Sequence, residues 1–260
     1  MNKRYYLKSN ITLCGFSDGK PYPRTFRIIR RMGRGGMSSI CYEAFHEGSG
    51  RGVLKEFYPN TVFGLRRNDQ NQLIHSSSPE LRSQRIRFQE AKQEYLMPYE
   101  LLLDIKQQYD DRGLGSFIPE FEIYYSVDSE GQPLKTSGTV YIWTPTPKLE
   151  TFDKICIDIH RHPTVNPEKK LVEVLYAIRS LTECVRILHN NAIVHRDIKP
   201  ENFGFIKRED ETLTQAISLF DIDSLCLVYG KKAAKSVRMD IWIPNHDRRI
   251  RKRINRISIP

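Results

Sequence analysis

Apolar and polar residues alternate along the first third of the chain in a way that predicts strands joined by tight turns. The apolar segments at 26–29, 40–45 and 53–57 are short, and glycines at 33–36 separate the first two. Residues 59–77 are polar and rich in turn-forming residues, so we expect an inserted loop there. This region therefore predicts a sheet built from successive hairpins.

Two longer segments have the apolar spacing of helices. The first should begin at Ser78-Pro79-Glu80, where serine can cap free amides and proline suits the first turn. It should run to about Met97, and Pro98 should kink or end it before a second helical piece. The second helix should open at Asn166-Pro167-Glu168. Its apolar residues form one stripe that predicts a buried face, namely Leu171, Val174, Leu175, Ile178, Leu181, Val185 and Leu188.

The order of these elements predicts the fold class. Strand candidates at 120–126 and 139–143 precede an extended Pro145-Thr146-Pro147 segment that is typical of a linker. Strands with one long helix, then a linker, then a mostly helical part indicate a two-lobed α+β enzyme. The expected divisions are an N-terminal extension (1–25), a first lobe (26–147), a second lobe (148–247) and a basic tail (248–260).

Composition indicates which class of protein this is and in which compartment we expect it. Its 260 residues are 39% hydrophobic and 10% aromatic, as in a folded protein. The five cysteines are scattered and never form a Cys-x-x-Cys pair, which argues against a disulfide framework or a structural zinc site. That pattern favours a cytoplasmic protein. No apolar stretch is long enough for a signal peptide or a membrane-spanning helix.

The formal net charge of +10 is concentrated near the C-terminus. Residues 248–256 contain six basic side chains and no acidic one. We expect a solvated or linking segment, which could also contact an anionic membrane or a further domain. Contact of this segment with nucleic acid is an alternative that rests on charge alone, so we do not expect direct nucleic-acid binding.

A glycine hairpin and a strand lysine are candidates for holding phosphates. Glycines in Gly33-Arg34-Gly35-Gly36 let backbone amides approach phosphate oxygens, because no side chain intervenes. Lys55 lies on the strand one hairpin later, between apolar neighbours, and can supply a cation. A strand follows these glycines, so the pattern differs from the dinucleotide-binding fingerprint.

The most specific signal is His195-Arg196-Asp197-Ile198-Lys199-Pro200-Glu201-Asn202. Four residues separate Asp197 from Asn202, and Pro200 forces an irregular loop between them. Such a loop can direct a carboxylate towards a substrate hydroxyl and an amide oxygen towards a magnesium ion. Lys199 can reach a phosphoryl group in transit. Phosphoryl transfer needs this kind of positioning and charge neutralisation more than covalent help.

These residues resemble those of the protein kinase family, and the glycine loop is most similar to that of bacterial serine/threonine kinases. The resemblance implies transfer of the γ-phosphoryl group of ATP, with Mg²⁺, to a serine or threonine of a protein substrate. It implies that Asp197 is the catalytic base, that Asn202 binds Mg²⁺, and that Lys55 contacts the α- and β-phosphates. It also implies that the nucleotide is covered by Gly33, Gly35, Gly36, Ser38 and Ile40.

Two further roles leave alternatives. The resemblance implies a second metal-binding aspartate, for which Asp221 is the preferred candidate and Asp223, where the family has glycine, is the other. It also implies a glutamate that pairs with Lys55. Glu90 is preferred for that role, and Glu94 lies one turn further along the same helix.

The resemblance covers residues 26 to 223 and then fades. No Ala-Pro-Glu-like segment follows, so we expect a piece of a longer protein that binds nucleotide better than it phosphorylates. The alternative is a pseudokinase, a nucleotide- or partner-binding module, which Asp223 and Ser38 in place of glycines favour. A small-molecule kinase is less favoured because of Arg196 and Lys199.

Overall fold

The computed structural model describes most of the chain up to residue 228. The described residues are 7, 9–35, 38–110, 118, 120–145, 149–154, 157, 167–207, 213–219, 222 and 225–228. The chain divides into two compact units, Met1–Leu227 and Val228–Pro260, and all but one of the described residues belong to the first unit.

Eight strands and one long helix are described in the first 145 residues. The strands are β1 Asn10–Ser17, β2 Lys20–Gly35, β3 Ser39–His46, β4 Gly50–Phe57, β5 Leu65–Arg67, β6 Leu73–His75, β7 Glu122–Tyr125 and β8 Val140–Pro145. Helix α1, Arg82–Asp110, lies between β6 and β7. Six of the strands form a closed antiparallel barrel in the order β1-β2-β3-β4-β8-β7. The expected antiparallel sheet with one long helix is confirmed.

The barrel has an apolar interior because side chains alternate along each strand. On β4, Leu54 and Glu56 point inward and are fully buried, whereas Lys55 and Phe57 lie on the other face. The apolar interior is formed by Leu7, Ile11, Leu13, Phe26, Ile40, Tyr42, Ala44, Leu54, Tyr124, Tyr141 and Trp143.

Strand β1 lies in the region expected to be an N-terminal extension. It pairs with β2 from Asn10↔Arg27 to Ser17↔Lys20 and meets β7 at Cys14↔Tyr125. Ile11 and Leu13 are buried and alternate with exposed polar residues. That alternation was a usable sequence signal for a strand.

The polar segment at 59–77 contains the β5–β6 hairpin, although only a loop was expected there. Gln72 is buried within it and links β1 to the segment after β7: its Nε2 donates to the carbonyl of Thr12 (2.6 Å), and its Oε1 accepts from the Val127 amide (2.6 Å). Leu73 is also fully buried. Turn-forming residues lie on either side of these two buried positions, so the sequence shows no regular alternation that would predict a strand there.

Helix α1 continues through Pro98 as one element, after a 3₁₀ turn at Pro79–Leu81. Phe88 and Tyr95 pack against Phe57 of β4, with ring centroids 5.8 and 5.0 Å apart. The side chain of Lys92 is buried as well. Its ammonium donates to the carbonyls of Lys135 (2.6 Å), Gly138 (2.9 Å) and Thr136 (3.4 Å). Aromatic packing and a buried cation together hold α1 to the first lobe.

The second part of the fold is built around one helix and short strands. In chain order these are β9 Leu149–Thr151, α2 Pro167–Asn190, β10 Ile193–Val194, β11 Phe203–Lys207, β12 Leu213–Leu219 and β13 Cys226–Leu227. Strands β12, β11 and β9 form one sheet, and β10 pairs with β13. An apolar core continues from Phe88 of α1 to Ile187 of α2. The predicted two-lobed α+β class is confirmed.

The apolar stripe of α2 was predicted to be core, and for three of its residues this is wrong. Leu171, Leu175 and Ile178 are 59%, 55% and 50% exposed. Leu188 is buried, as are Ala177, Cys184 and Ile187. Periodicity identifies an apolar face but does not show what covers it, and none of the described elements buries the first half of this stripe.

Within the described residues, no helix is long and apolar enough to cross a bilayer.

Candidate active site

The end of α2 leads directly into the loop that carries the strongest sequence motif. Nδ2 of the Asn191 side chain donates to the Ile187 carbonyl (2.9 Å), and Ala192 turns the chain with a left-handed φ of 58°. Strand β10 follows, and His195 comes next with its side chain buried. Arg196 has φ 65°, which is uncommon for a residue with a side chain and strains the backbone just before Asp197.

The structure brings together three of the predicted site residues. The Lys199 ammonium donates to Oδ2 of Asp197 at 2.8 Å. The Asn202 amide nitrogen donates to the same Oδ2 and to the Asp197 backbone carbonyl, each at 2.8 Å. Asn202 is buried, whereas the side chains of Asp197 and Lys199 are 39% and 47% exposed. The carboxylate is therefore held in place by two hydrogen-bond donors, while its partly exposed side chain stays accessible to a substrate.

These contacts set the ionisation of Asp197. The hydrogen bond from Lys199 lowers the pKa of this carboxyl group, and the bond from Asn202 and the Lys199 charge act in the same direction. Asp197 is thus ionised at neutral pH. A carboxylate with a low pKa is a weak base, so it is better suited to orienting a hydroxyl than to removing its proton early.

The buried ring of His195 links the loop to the rest of the core. It lines a small apolar cavity together with Leu102 of α1, Leu188 of α2 and Ile222. The Arg196 guanidinium donates to the Leu225 carbonyl at 3.5 Å. The loop is thus supported by both helices and by the segment that follows β12.

Lys55 and the glycine hairpin belong to the barrel. Lys55 is half-buried and pairs with Cys41 of β3 and Ile142 of β8. Strands β2 and β3 stay paired up to the hairpin turn, from Gly33↔Cys41 to Gly35↔Ser39. The Tyr58 amide donates to the Ser38 carbonyl (2.8 Å). That bond ties the hairpin turn to the end of β4. Gly36 lies outside the described residues.

Ile40 lies inside the barrel. It is buried opposite Glu56, in the apolar cluster that includes Leu54. Directly opposed residues on antiparallel strands share a face, so Cys41 rather than Ile40 lies on the face of Lys55. Contact of Ile40 with a nucleotide stays a prediction.

Glu90 and Glu94 are both exposed on α1. Phe88 faces β4, and two residues along a helix correspond to about 200° around its axis, which turns Glu90 away from the strand. Its role as the partner of Lys55 stays a prediction. Asp221 and Asp223 lie outside the described residues.

The donor chemistry of the loop suits a hard cation. Because the Asn202 amide nitrogen faces Asp197, its Oδ1 is the atom left for a metal, and magnesium prefers oxygen ligands. Within the described part of the chain, no group of three His, Cys, Asp or Glu side chains could hold a metal ion. A magnesium site that joins Asn202 to Asp221 or Asp223 stays a prediction.

The burial of two charged residues was not predicted from the sequence. Glu56 is enclosed by Arg67, Tyr42 and Tyr141, and Lys92 is enclosed by backbone carbonyls. Glu56 could have been found, because it is two residues from Leu54 on a strand and must share its inward face.

Comparison with known proteins gives short but informative matches. No protein-family model matches the chain. It is 36% identical over 83 residues to calcium-dependent protein kinase 22 and 34% identical over 68 residues to CDPK-related kinase 4, both from Arabidopsis thaliana. Over these short regions the chain is similar in sequence to protein kinases. The matches span 32% and 26% of the chain, and only 15% and 10% of the two plant kinases.

Solved kinase domains also resemble this chain, at low similarity. The BubR1 kinase domain is 16% identical with a TM-score of 0.40, over 87% of this chain and 52% of that one. A Toxoplasma gondii rhoptry antigen kinase domain is 13% identical with a TM-score of 0.42, over 83% and 54%. The ROP18 kinase domain, in complex with AMP-PNP and sucrose, is 15% identical with a TM-score of 0.43, over 86% and 58%.

Proposed function

We propose that the chain is the nucleotide-binding and catalytic-loop portion of a serine/threonine protein kinase that uses ATP and Mg²⁺. The observation that carries the proposal is the hydrogen-bonded group of Asp197, Lys199 and Asn202 on one strained loop. This group combines an oriented carboxylate, an adjacent cation and an amide oxygen. Phosphoryl transfer to a hydroxyl needs these three functions close together.

Each residue in the loop has a proposed role. Asp197 accepts a hydrogen bond from the substrate hydroxyl and orients it towards the γ-phosphorus. The ammonium of Lys199 neutralises charge on the phosphoryl group. The oxygen of Asn202 would bind Mg²⁺ together with Asp221, and the metal would supply charge neutralisation at the phosphates.

The barrel has the complementary proposed role of holding the nucleotide. Lys55 contacts the α- and β-phosphates, and Glu90 is its proposed partner, a role that would require the exposed Glu90 side chain to turn towards β4. The backbone of the hairpin from Gly33 to Ser38 covers the nucleotide. We further propose a protein substrate that offers serine or threonine, a cytoplasmic location, and contact of the basic 248–260 segment with a further domain or an anionic membrane.

Transfer of labelled phosphate from ATP tests this proposal. The unaltered chain, incubated with Mg²⁺ and γ-labelled ATP, should label itself or a generic protein substrate slowly. Asp197→Asn keeps the side-chain shape but removes the carboxylate, and it should lower the rate roughly 100-fold or more. Asp18→Asn is the matched control, because Asp18 is exposed in the β1–β2 turn at a positive φ that asparagine tolerates. Equal rates for the unaltered chain and Asp197→Asn would contradict the proposal.

A pseudokinase is the second candidate. The exposed position of Glu90, turned away from β4, favours it. In that case the unaltered chain and Asp197→Asn would both bind ATP, and neither would transfer phosphate.

A further inference from the structure

We propose that Glu56 and Arg67 are positioning residues for Lys55, because their buried ion pair fastens the strand that presents this lysine to the β5–β6 hairpin. The inference rests on the proposed role of Lys55 in binding phosphates. It assigns a function to the inserted 59–77 segment, which lies outside the glycine hairpin and the catalytic loop.

Glu56 has a complete set of partners inside the barrel. Its side chain is fully buried. One carboxylate oxygen accepts from the Tyr141 hydroxyl (3.0 Å), and the other accepts from the Tyr42 hydroxyl (3.1 Å) and from Nη2 of Arg67 (2.6 Å). A second guanidinium nitrogen of Arg67 bonds to the first oxygen, so the ion pair is bidentate.

The donors around Glu56 come from separate elements. Tyr42 is on β3, Tyr141 is on β8, and Arg67 is on β5. Burial, followed by the negative charge of Glu56, raises the pKa of Tyr141, so its hydroxyl stays a donor. Removing one partner from a buried, hydrogen-bonded pair leaves an uncompensated charge, so this arrangement strongly resists displacement.

The position of Glu56 couples this group directly to Lys55. The two residues are adjacent on β4 and point to opposite faces, so a shift or twist of the strand at Glu56 also moves the lysine. Lys55 has fixed neighbours on both sides, Cys41 and Ile142, through the barrel pairing. Arg67 adds a restraint from β5, a strand that is not part of the barrel.

The same hairpin also connects to α1. The His75 amide bonds to the Ser137 carbonyl (2.9 Å), and the Thr139 amide bonds to the Leu73 carbonyl (3.0 Å). Lys92 of α1 donates to carbonyls at both ends of this 135–138 segment. The hairpin thus braces the strand that carries Lys55 and, through one intermediate turn, the helix that carries Glu90.

Titration with Mg²⁺-ATP, at a temperature where each variant is fully folded, tests the proposal. Arg67→Met should weaken binding at least about fivefold, in the range of coupling energies between linked sites. The matched control is Arg66→Met on the same strand, where the side chain is exposed and the charge change is identical. The control should bind within about twofold of the unaltered chain.

A double-mutant cycle distinguishes positioning from a general structural role. In a Lys55→Ala background, Arg67→Met should cause no further loss, because both changes act through the same ammonium. An equal loss in both backgrounds would overturn the proposal, as would unchanged binding by Arg67→Met. If Arg67→Met does not fold, Tyr141→Phe can replace it, because it removes one hydrogen bond to Glu56. Tyr141→Phe should weaken ATP binding at least about twofold when Lys55 is present, and it should have no effect in the Lys55→Ala background. If Lys55→Ala binds ATP as tightly as the unaltered chain, the proposed function is overturned as well, which is a separate outcome.

Discussion

The buried ammonium of Lys92 predicts an unusual pH dependence of stability. Burial lowers the pKa of Lys92 from 10.5 to about 8, because the charged form loses hydration. Between these values the unfolded chain holds a proton that the folded chain has released. The free energy of unfolding therefore rises with pH across this window. Lys92→Met removes the titrating group, keeps a chain of similar length and cannot show this rise.

The size of the effect follows from the same shift. Each pKa unit corresponds to about 1.36 kcal/mol, and most of the window lies between pH 8 and 9.5. The stability advantage of the unaltered chain over Lys92→Met should increase by roughly 2 kcal/mol from pH 7 to pH 9.5. Both proteins keep the same buried tyrosines, so tyrosine titration cancels in the difference.

Urea unfolding followed by circular dichroism at pH 7, 8 and 9.5 measures this difference. Arg82→Met on the same helix is the control, because arginine is exposed there and does not titrate in this range. A difference between the unaltered chain and Lys92→Met that stays constant, or decreases as pH rises, would refute the conclusion that burial lowers the pKa of Lys92.

Three further predictions test the core, the exposed stripe and the catalytic loop. Phe88→Ala should lower the free energy of unfolding by about 3–5 kcal/mol in urea, because Phe88 is fully buried against β4. Leu188→Ala should cost about 2–5 kcal/mol in the same assay, whereas Leu175→Ala should change stability by about 0.5 kcal/mol or less, since only Leu188 is buried. Lys199→Met should raise the pKa of Asp197 measured by carboxyl-carbon NMR, because its donor is lost; an unchanged pKa would contradict the observed contact.

Local sequence signals predicted five of the six barrel strands and the irregular loop from Asp197 to Asn202. Leu54, Lys55 and Phe57 alternate as a strand requires, and Pro200 separates Asp197 from Asn202 by the spacing that lets the two side chains meet. These features depend on residues near one another in the chain, where backbone geometry restricts the outcome.

Features that depend on distant partners were harder to predict. Glu56 could be placed inside the barrel, but its partner Arg67 lies in a polar insertion with three-residue strands. The carbonyls around Lys92 come from residues more than 40 positions away. Leu175 has the spacing of a core residue, yet its burial depends on what covers α2 and not on its own helix.

The most direct test of the proposed site is the dependence of ATP binding on Mg²⁺. Calorimetric titration of ATP should show tighter binding with Mg²⁺ than with a chelator, and Asn202→Leu should lose that difference because it lacks the amide oxygen. Asn202→Asp, which keeps an oxygen at this position, should retain it. Equal affinity with and without Mg²⁺ in the unaltered chain, or a full Mg²⁺ effect in Asn202→Leu, would contradict the proposed site.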